Sequence, residues 1–81
     1  MAQGKIRLEY RVVLHRGQWK IEYDRQHVGP YSSQQEAIRH AVEAAHKAGR
    51  RGAAAQVLLQ GRNGTFLVEW TYGTDPYPPG G

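Results

Sequence analysis

Four histidines are the side chains of this sequence best suited to metal or acid–base chemistry, and they stand at His15, His27, His40 and His46. His40 and His46 are six residues apart, which on a helix is a rotation of about 600°, so they do not share a face. The histidines, aspartates and glutamates show no zinc or di-metal spacing. The sequence therefore predicts solvated histidines and no metal site.

A catalytic nucleophile would have to be a serine or threonine hydroxyl, because the chain contains no cysteine. Ser33 is better explained as the cap of a helix, and no G-x-S-x-G, P-loop or G-x-G-x-x-G motif occurs. The segment Gly61-Arg62-Asn63-Gly64 has the spacing of a hairpin turn. We therefore expect a protein that is not an enzyme, with no catalytic residue, no cofactor and no small-molecule substrate.

The chain is basic, with eleven Lys and Arg against seven Asp and Glu, a net charge of +4 and a pI of about 9.8. Cations at hairpin tips and at a helix C-terminus could contact phosphates, which makes nucleic acid a second hypothesis for the partner. The same cations are also explained by solubility and by the helix dipole. The candidate phosphate contacts are Arg16, Lys47, Arg50, Arg51 and Arg62.

Apolar residues alternate with polar ones from Lys5 to Arg16 and again from Trp19 to Tyr23, which is typical of half-buried strands. With Arg16-Gly17 as a two-residue turn, apolar residues of the two strands face each other, as in the pair Val12 and Ile21. The sequence thus predicts a hairpin of defined register. A brief third strand would follow at residues 28–31, where Pro30 would confine it to an edge.

Ser33-Gln34-Gln35-Glu36 is a capping box, which predicts a helix that begins there and runs to about Ala48, with Gly49 as its terminator. Asn63-Gly64 then predicts a second hairpin, because both residues tolerate the positive φ that a type I′ turn requires. This turn would pair Gly61 with Phe66, Leu59 with Val68, and Val57 with Trp70.

These elements predict an α+β fold of order β-β-(β)-α-β-β, a small antiparallel sheet made of two hairpins with one helix between them. Residues 1–73 form the single domain, and residues 74–81 form a tail rich in proline and glycine. The chain contains no cysteine for a disulfide and no apolar run long enough for a membrane span, and we expect no signal peptide because Met1 to Lys5 are too short and polar for one. We therefore expect a soluble cytoplasmic protein.

The predicted helix is too narrow for its sheet. Four strands make a sheet about 19 Å wide, whereas one helix is about 10 Å across. We expect the remaining apolar area to be covered by a second copy of the chain, which predicts a homodimer. The tail is either a polyproline-type ligand for a partner or, as we favour, a segment that folds back with Tyr77 on the sheet. The residues expected at such an interface or docking site are Trp19, Trp70, Tyr72 and Tyr77.

Several short motifs of this chain resemble those of a bacterial family, domain of unknown function 2188. They are Gly17-Gln18-Trp19, the helix start at residues 33–37, Gly61-Arg62-Asn63-Gly64, and the ending Tyr72-Gly73-Thr74-Asp75-Pro76-Tyr77-Pro78-Pro79. The chain departs from the family in placing Gln18 between the glycine and the tryptophan and in its longer first strand. The resemblance implies a bacterial or phage origin and brings no activity or cofactor with it.

The sequence as a whole favours a small bacterial interaction module that is not an enzyme and that self-associates. The alternative is an accessory protein that binds nucleic acid through its basic residues.

Overall fold

The computed structural model describes residues 6–79 of the 81-residue chain. The predicted strand start at Lys5 and the last two glycines of the tail lie outside these residues. The chain forms five strands, one α-helix and one short 3₁₀ turn. In chain order they are β1 (Arg7–His15), β2 (Gln18–Tyr23), β3 (Gln26–Tyr31), α1 (Gln34–Arg50), β4 (Ala54–Gln60), the 3₁₀ turn (Arg62–Gly64) and β5 (Phe66–Thr71).

All five strands belong to one mixed sheet in the order β3-β2-β1-β4-β5. The α+β class and the helix between two hairpins are as predicted, but the prediction of a purely antiparallel sheet is wrong, because β1 and β4 are parallel. Helix α1 returns the chain along the sheet, so β4 starts beside the start of β1, with Ala54 opposite Arg7. Turn chemistry sets the register inside each hairpin but does not select which strands of the two hairpins meet.

The first hairpin has the predicted register, with Val12 opposite Ile21 and Leu14 opposite Trp19. Its two turn residues both have positive φ, 55° at Arg16 and 79° at Gly17, as a type I′ turn requires. The third strand forms on the outer side of β2, and Pro30 lies in this edge strand. Proline is tolerated there because one side of an edge strand needs no hydrogen-bond donor.

The second hairpin turns at Asn63-Gly64 as predicted, with φ of 60° and 75°. Its register agrees with the prediction only at Val57 and Trp70, because β5 contains a bulge between its pairs with Val57 and Leu58. Near the turn the Gly61 N–H donates to the Thr65 carbonyl at 2.8 Å, which makes the loop one residue longer than predicted. The predicted pairs of Leu59 with Val68 and of Gly61 with Phe66 are therefore wrong. Val68 lies opposite Leu58 and Phe66 opposite Gln60.

Helix α1 packs mainly over β1 and β4, and its buried stripe consists of small residues, Ala37, Ala41, Val42, Ala45 and Gly49. Such a stripe allows the helix backbone to approach the sheet closely. The Ser33 hydroxyl accepts from the Glu36 amide at 3.1 Å, which is the predicted N-cap. The core opposite the helix is formed by Tyr10, Val12, Ile21, Ala55, Val57 and Trp70.

The helix ends at Arg50, beyond the predicted end near Ala48. Gly49 is not the terminator, because it lies inside the helix, where a β-carbon would overlap the ring of Tyr72. The glycine that requires its conformational freedom here is Gly52, whose φ is +104°. Within residues 6–79, no helix is long and apolar enough to cross a membrane.

Candidate functional site

The five basic residues proposed as phosphate contacts lie at two opposite ends of the sheet. Arg16 follows the end of β1, and Arg62 follows the end of the parallel strand β4, so both lie at one end. Lys47, Arg50 and Arg51 lie where α1 ends, beside the start of both strands. Since β1 contains nine residues, the two groups are separated by about 30 Å. The structure therefore brings three of the five residues together.

The three cations at the end of α1 border a shallow depression of about 290 Å³. None of the three forms an ion pair with a carboxylate among the residues that the structure describes. The helix dipole places partial negative charge at this end, which stabilises the cations where they stand. The helix end is thus a cationic surface on which the side chains of Lys47 and Arg51 also reach the rim of a larger groove.

One flank of α1, on the β5 side, is covered by the C-terminal tail. The Trp70 indole N–H donates to the Pro76 carbonyl at 2.8 Å, and the Thr71 amide donates to the Asp75 carboxylate at 2.8 Å. The Tyr77 ring stacks on His46 with centroids 3.6 Å apart, and its hydroxyl donates to the Glu43 carboxylate at 2.6 Å. The tail is therefore anchored to both the sheet and the helix.

The hydrogen bond to Glu43 is also the main reason why the pKa of Tyr77 is raised above its usual value, since an ionised phenol would lose this bond and face a carboxylate. Trp70 is 2% exposed beneath this cover, and Tyr72 packs partly buried beside it. Of the four residues proposed for an interface or for tail docking, Trp70, Tyr72 and Tyr77 thus lie together at the docked tail. Trp19 lies elsewhere, half-buried on β2 opposite Leu14 of β1.

The other flank of α1, on the β2 side, is an open groove of about 450 Å³. Its floor contains Tyr10 and Tyr23, whose rings stack with centroids 4.5 Å apart. Burial, followed by the neighbouring Tyr23, raises the pKa of Tyr10 to about 12, so this phenol stays protonated. A second hollow of about 280 Å³ continues from the same two tyrosines toward β3. The residues that line the groove are Ile6, Leu8, Tyr10, Tyr23, Ala44, Lys47, Ala48, Arg51, Gly52 and Ala53.

The two edges of the sheet differ in what they expose. Edge strand β3 contains Gly29 and Pro30, and its one large exposed apolar side chain is Val28. Edge strand β5 exposes three apolar residues in a row, Phe66 at 37%, Leu67 at 64% and Val68 at 57%. A long apolar edge is a template for pairing with another strand, whereas proline prevents such pairing.

These β5 residues are not among those that the sequence predicts at an interface, because the predicted register turns Phe66 and Val68 toward the core. The signal that could have found them is Thr65 after Asn63-Gly64. Its hydroxyl donates to the Arg62 carbonyl at 2.8 Å and stabilises the longer loop. A three-residue loop shifts the alternation of faces along β5 by one residue. Phe66 and Val68 therefore point to the face of the sheet without the helix.

The histidines do not form one cluster, and the prediction that all four are solvated is wrong for His46, whose Nδ1 is buried without a hydrogen-bond partner. His15 of β1 stacks on His27 of β3. His40 lies beside Tyr31, and His46 lies under Tyr77. Over the described range 6–79, no group of three or more His, Asp or Glu side chains is arranged to hold a metal ion. Among the described residues, the candidate surfaces for an interaction are therefore the β5 edge, the cationic helix end and the groove.

Residues 10–72 match the model of a family described as an uncharacterized protein conserved in bacteria, DUF2188. The match covers the helix and both hairpins from Tyr10 onward, whereas Ile6 and Leu8 of the groove and the docked C-terminal tail lie outside it. No curated protein and no solved structure matches the chain.

Proposed function

Because this chain belongs to the bacterial family DUF2188, whose members are described only as uncharacterized, we propose its role from its surfaces. It is an interaction module that is not an enzyme and that self-associates through the edge strand β5. The part of the proposal that excludes catalysis rests on the sequence, which contains no nucleophile or metal motif. The self-association rests on the exposed apolar run of β5.

The observation that carries the proposal is that β5 exposes apolar side chains on both faces of the sheet edge. Leu67 is paired with Leu59 and points to the helix side, whereas Phe66 and Val68 point to the opposite side. A docked helix or a flat surface would cover only one of these faces. A partner strand covers both and also satisfies the outer backbone groups of β5.

A second copy of the chain is the partner that fits this edge best. Antiparallel pairing of β5 with its own copy is two-fold symmetric, and with the axis at Leu67 each Leu67 would face the other and each Phe66 would face Val68 of the other molecule. On the face without the helix, Phe66 and Val68 continue an apolar strip with the buried residues Val13 and Leu58. Two such strips joined side by side would form a continuous sheet of ten strands.

The test is the oligomeric state of two matched single-charge variants. We expect light scattering after size-exclusion chromatography to give a dimer for the wild type and a monomer for Leu67→Lys, because a lysine at the centre of β5 cannot be buried between two copies. The matched control is Val28→Lys on β3, where a residue exposed to 46% is changed in the same way.

Val28→Lys should stay dimeric, and circular dichroism should show that both variants fold. A wild type that is monomeric at every protein concentration tested, or a dimer broken by Val28→Lys and not by Leu67→Lys, would exclude this interface.

Nucleic-acid binding is the second candidate, and the gathering of Lys47, Arg50 and Arg51 at one helix end favours it. Three neighbouring cations can contact phosphates without sequence specificity. Arg16 and Arg62 lie at the far end of the sheet, so the proposed footprint excludes them. The probe is a salt-dependent mobility shift with mixed DNA and RNA.

If phosphates bind at the helix end, the double variant Arg50→Ala/Arg51→Ala should reduce the salt slope by about two and weaken binding to all sequences equally. The control Arg16→Ala/Arg62→Ala removes the same charge and should leave binding unchanged. A mixture that shows no shift even at low salt would exclude this candidate.

A further inference from the structure

The groove on the β2 side of α1 combines an apolar floor with a cationic rim, and the self-association through β5 does not use it. We propose that this groove binds a small amphipathic anion, with an apolar group against Tyr10, Tyr23 and Ala44 and a carboxylate or phosphate on Lys47 and Arg51. The ligand class follows from the size of the groove, from the chemistry of its lining and from what the rest of the chain leaves open.

The size of the groove suits a small organic molecule. Its volume of about 450 Å³ falls in the range of about 300–1,000 Å³ that is usual for ligand sites. Its walls are small alanines on the helix and large rings on the sheet. Ala44 and Ala48 leave the space into which longer helix residues would project. The stacked pair of Tyr10 and Tyr23 provides a rigid surface whose contact with a ligand costs little conformational entropy.

The charge of the rim selects the sign of the ligand. Among residues 6–79, none of those that line the groove is acidic, and two of them, Lys47 and Arg51, are cations. Neither cation is paired with a carboxylate among the described residues. Arg51 lines the same groove as Tyr10, and its charge partly offsets the rise in the pKa of the Tyr10 phenol. An anionic head group would thus find two cations and a protonated phenol within one site.

The other candidates for covering this flank are occupied or point elsewhere. The C-terminal tail is anchored on the opposite flank through Trp70, His46 and Glu43. The β5 edge lies on the far side of β4, so dimer formation there leaves the groove open. Within residues 6–79, no other segment occupies the groove, and pairing through β5 would leave it accessible in a dimer as in a monomer.

The experiment uses the full chain and the fluorescent amphipathic anion anilinonaphthalene sulfonate as the probe. The probe should bind with increased fluorescence and be displaced by octanoate and by octyl phosphate, but not by the neutral octanol, whose apolar chain has the same length. Amide resonances of Ala44, Ala48 and Ala53 should shift in the nuclear magnetic resonance spectrum as octanoate is added. Equal competition by octanol would overturn the assignment of an anion.

Two variants and one matched control locate the site. Arg51→Gln should weaken octanoate binding about tenfold, since it removes a charge-assisted hydrogen bond. Ala44→Leu should weaken the binding of octanoate and of the probe together, because its side chain enters the groove. The control is Arg50→Gln, which removes the same charge from the same helix end at a residue that does not line the groove. It should change the affinity for octanoate by less than about twofold.

The result that would overturn the proposal is equal weakening by Arg50→Gln and Arg51→Gln, which indicates unspecific attraction by the helix end. Resonance shifts confined to Leu67 and Val68 would likewise place the probe on the β5 edge and exclude the groove. The oligomeric state is measured on the same samples. A monomer that binds octanoate in the groove would reject the proposed dimer and retain this site, and a dimer without binding would do the reverse.

Discussion

The two flanks of α1 differ in how the sheet beneath them is covered. One helix cannot cover five strands, since it is about 10 Å across and the sheet is about 24 Å wide. Toward β5 the tail and its Tyr77 complete the packing over Trp70, whereas toward β2 the stacked tyrosines remain open beneath a cationic rim. From this difference we expect that the covered flank dominates the free energy of unfolding, whereas the proposed binding site lies on the open flank.

The largest expected effect tests this difference directly. Trp70→Ala should lower the free energy of unfolding by about 3–5 kcal/mol, because it leaves a large cavity under the tail. Tyr23→Ala removes an aromatic ring of the open flank and should cost less than half of that. Urea denaturation of both variants provides the measurement. Equal losses of unfolding free energy in the two variants would show that the two flanks contribute equally to stability, and would contradict the expected difference between them.

The second effect concerns pH and lies on the open flank. Because the pKa of folded Tyr10 is about 12 and its ordinary value is 10.0, folding favours the protonated phenol. The associated stability, about 2 kcal/mol, is fully present below pH 10 and is lost as the pH rises toward 12.

Unfolding measured across this range should be less dependent on pH in Tyr10→Phe than in the wild type. Tyr77→Phe on the covered flank serves as the comparison, since the pKa of Tyr77 is raised mainly by its bond to Glu43. A pH dependence unchanged in Tyr10→Phe would contradict the expected ionisation.

A smaller effect concerns the anchor of the tail. Tyr77→Phe keeps the ring on His46 but removes the hydrogen bond to Glu43, and it should lower the free energy of unfolding only slightly, because this bond is exposed to solvent. Glu43→Gln and the double variant complete a thermodynamic cycle in which the two losses should not add. Hydrogen exchange of the Trp70 indole N–H should become faster in the same variants. Additive losses would mean that the tail is held by other contacts.

The smallest effect on stability is expected in the open groove. Ala44→Leu adds three carbons where space exists and should change the free energy of unfolding by less than about 1 kcal/mol. Its neighbour Ala45 is fully buried between helix and sheet, so Ala45→Leu should cost about 1–3 kcal/mol through overpacking. Thermal unfolding of this adjacent pair checks whether the groove is real space in solution. Similar losses in both would indicate that the helix packs over the groove as well.

Much of the local structure could be predicted from the residues alone. The first hairpin, the cap at Ser33 and the turn at Asn63-Gly64 are all decided within a few residues by turn chemistry and by alternation. The second register could not be predicted in this way. The loop is one residue longer than a two-residue turn, and a bulge in β5 restores the predicted pairing at Trp70. Between the loop and the bulge, Phe66, Leu67 and Val68 therefore lie on the opposite faces from those that the apolar pattern predicts.

The candidate sites were predicted less well than the elements. The basic residues were recognised, but only the topology shows that Arg16 and Arg62 lie a full strand length from Lys47, Arg50 and Arg51. Tyr77 was expected against the sheet, and the structure places its ring against both elements, stacked on His46 of the helix and edge-on to Trp70 of β5 with centroids 6.3 Å apart. The groove was not expected at all, since Tyr10, Ala44 and Arg51 are far apart in the chain and none of them has a motif.

The sequence by itself determined the class of the fold, one helix between two hairpins, together with the family to which the chain belongs. The fold class follows from interactions between residues that are close in the chain, and alternation, helix caps and turn residues indicate these interactions in the sequence. Only the tertiary structure decided that β1 and β4 run parallel, that the tail closes one flank of the helix, and that the other flank stays open. These features depend on contacts between distant residues, where the best fit of volumes and the satisfaction of polar groups select one arrangement among several with the same local pattern.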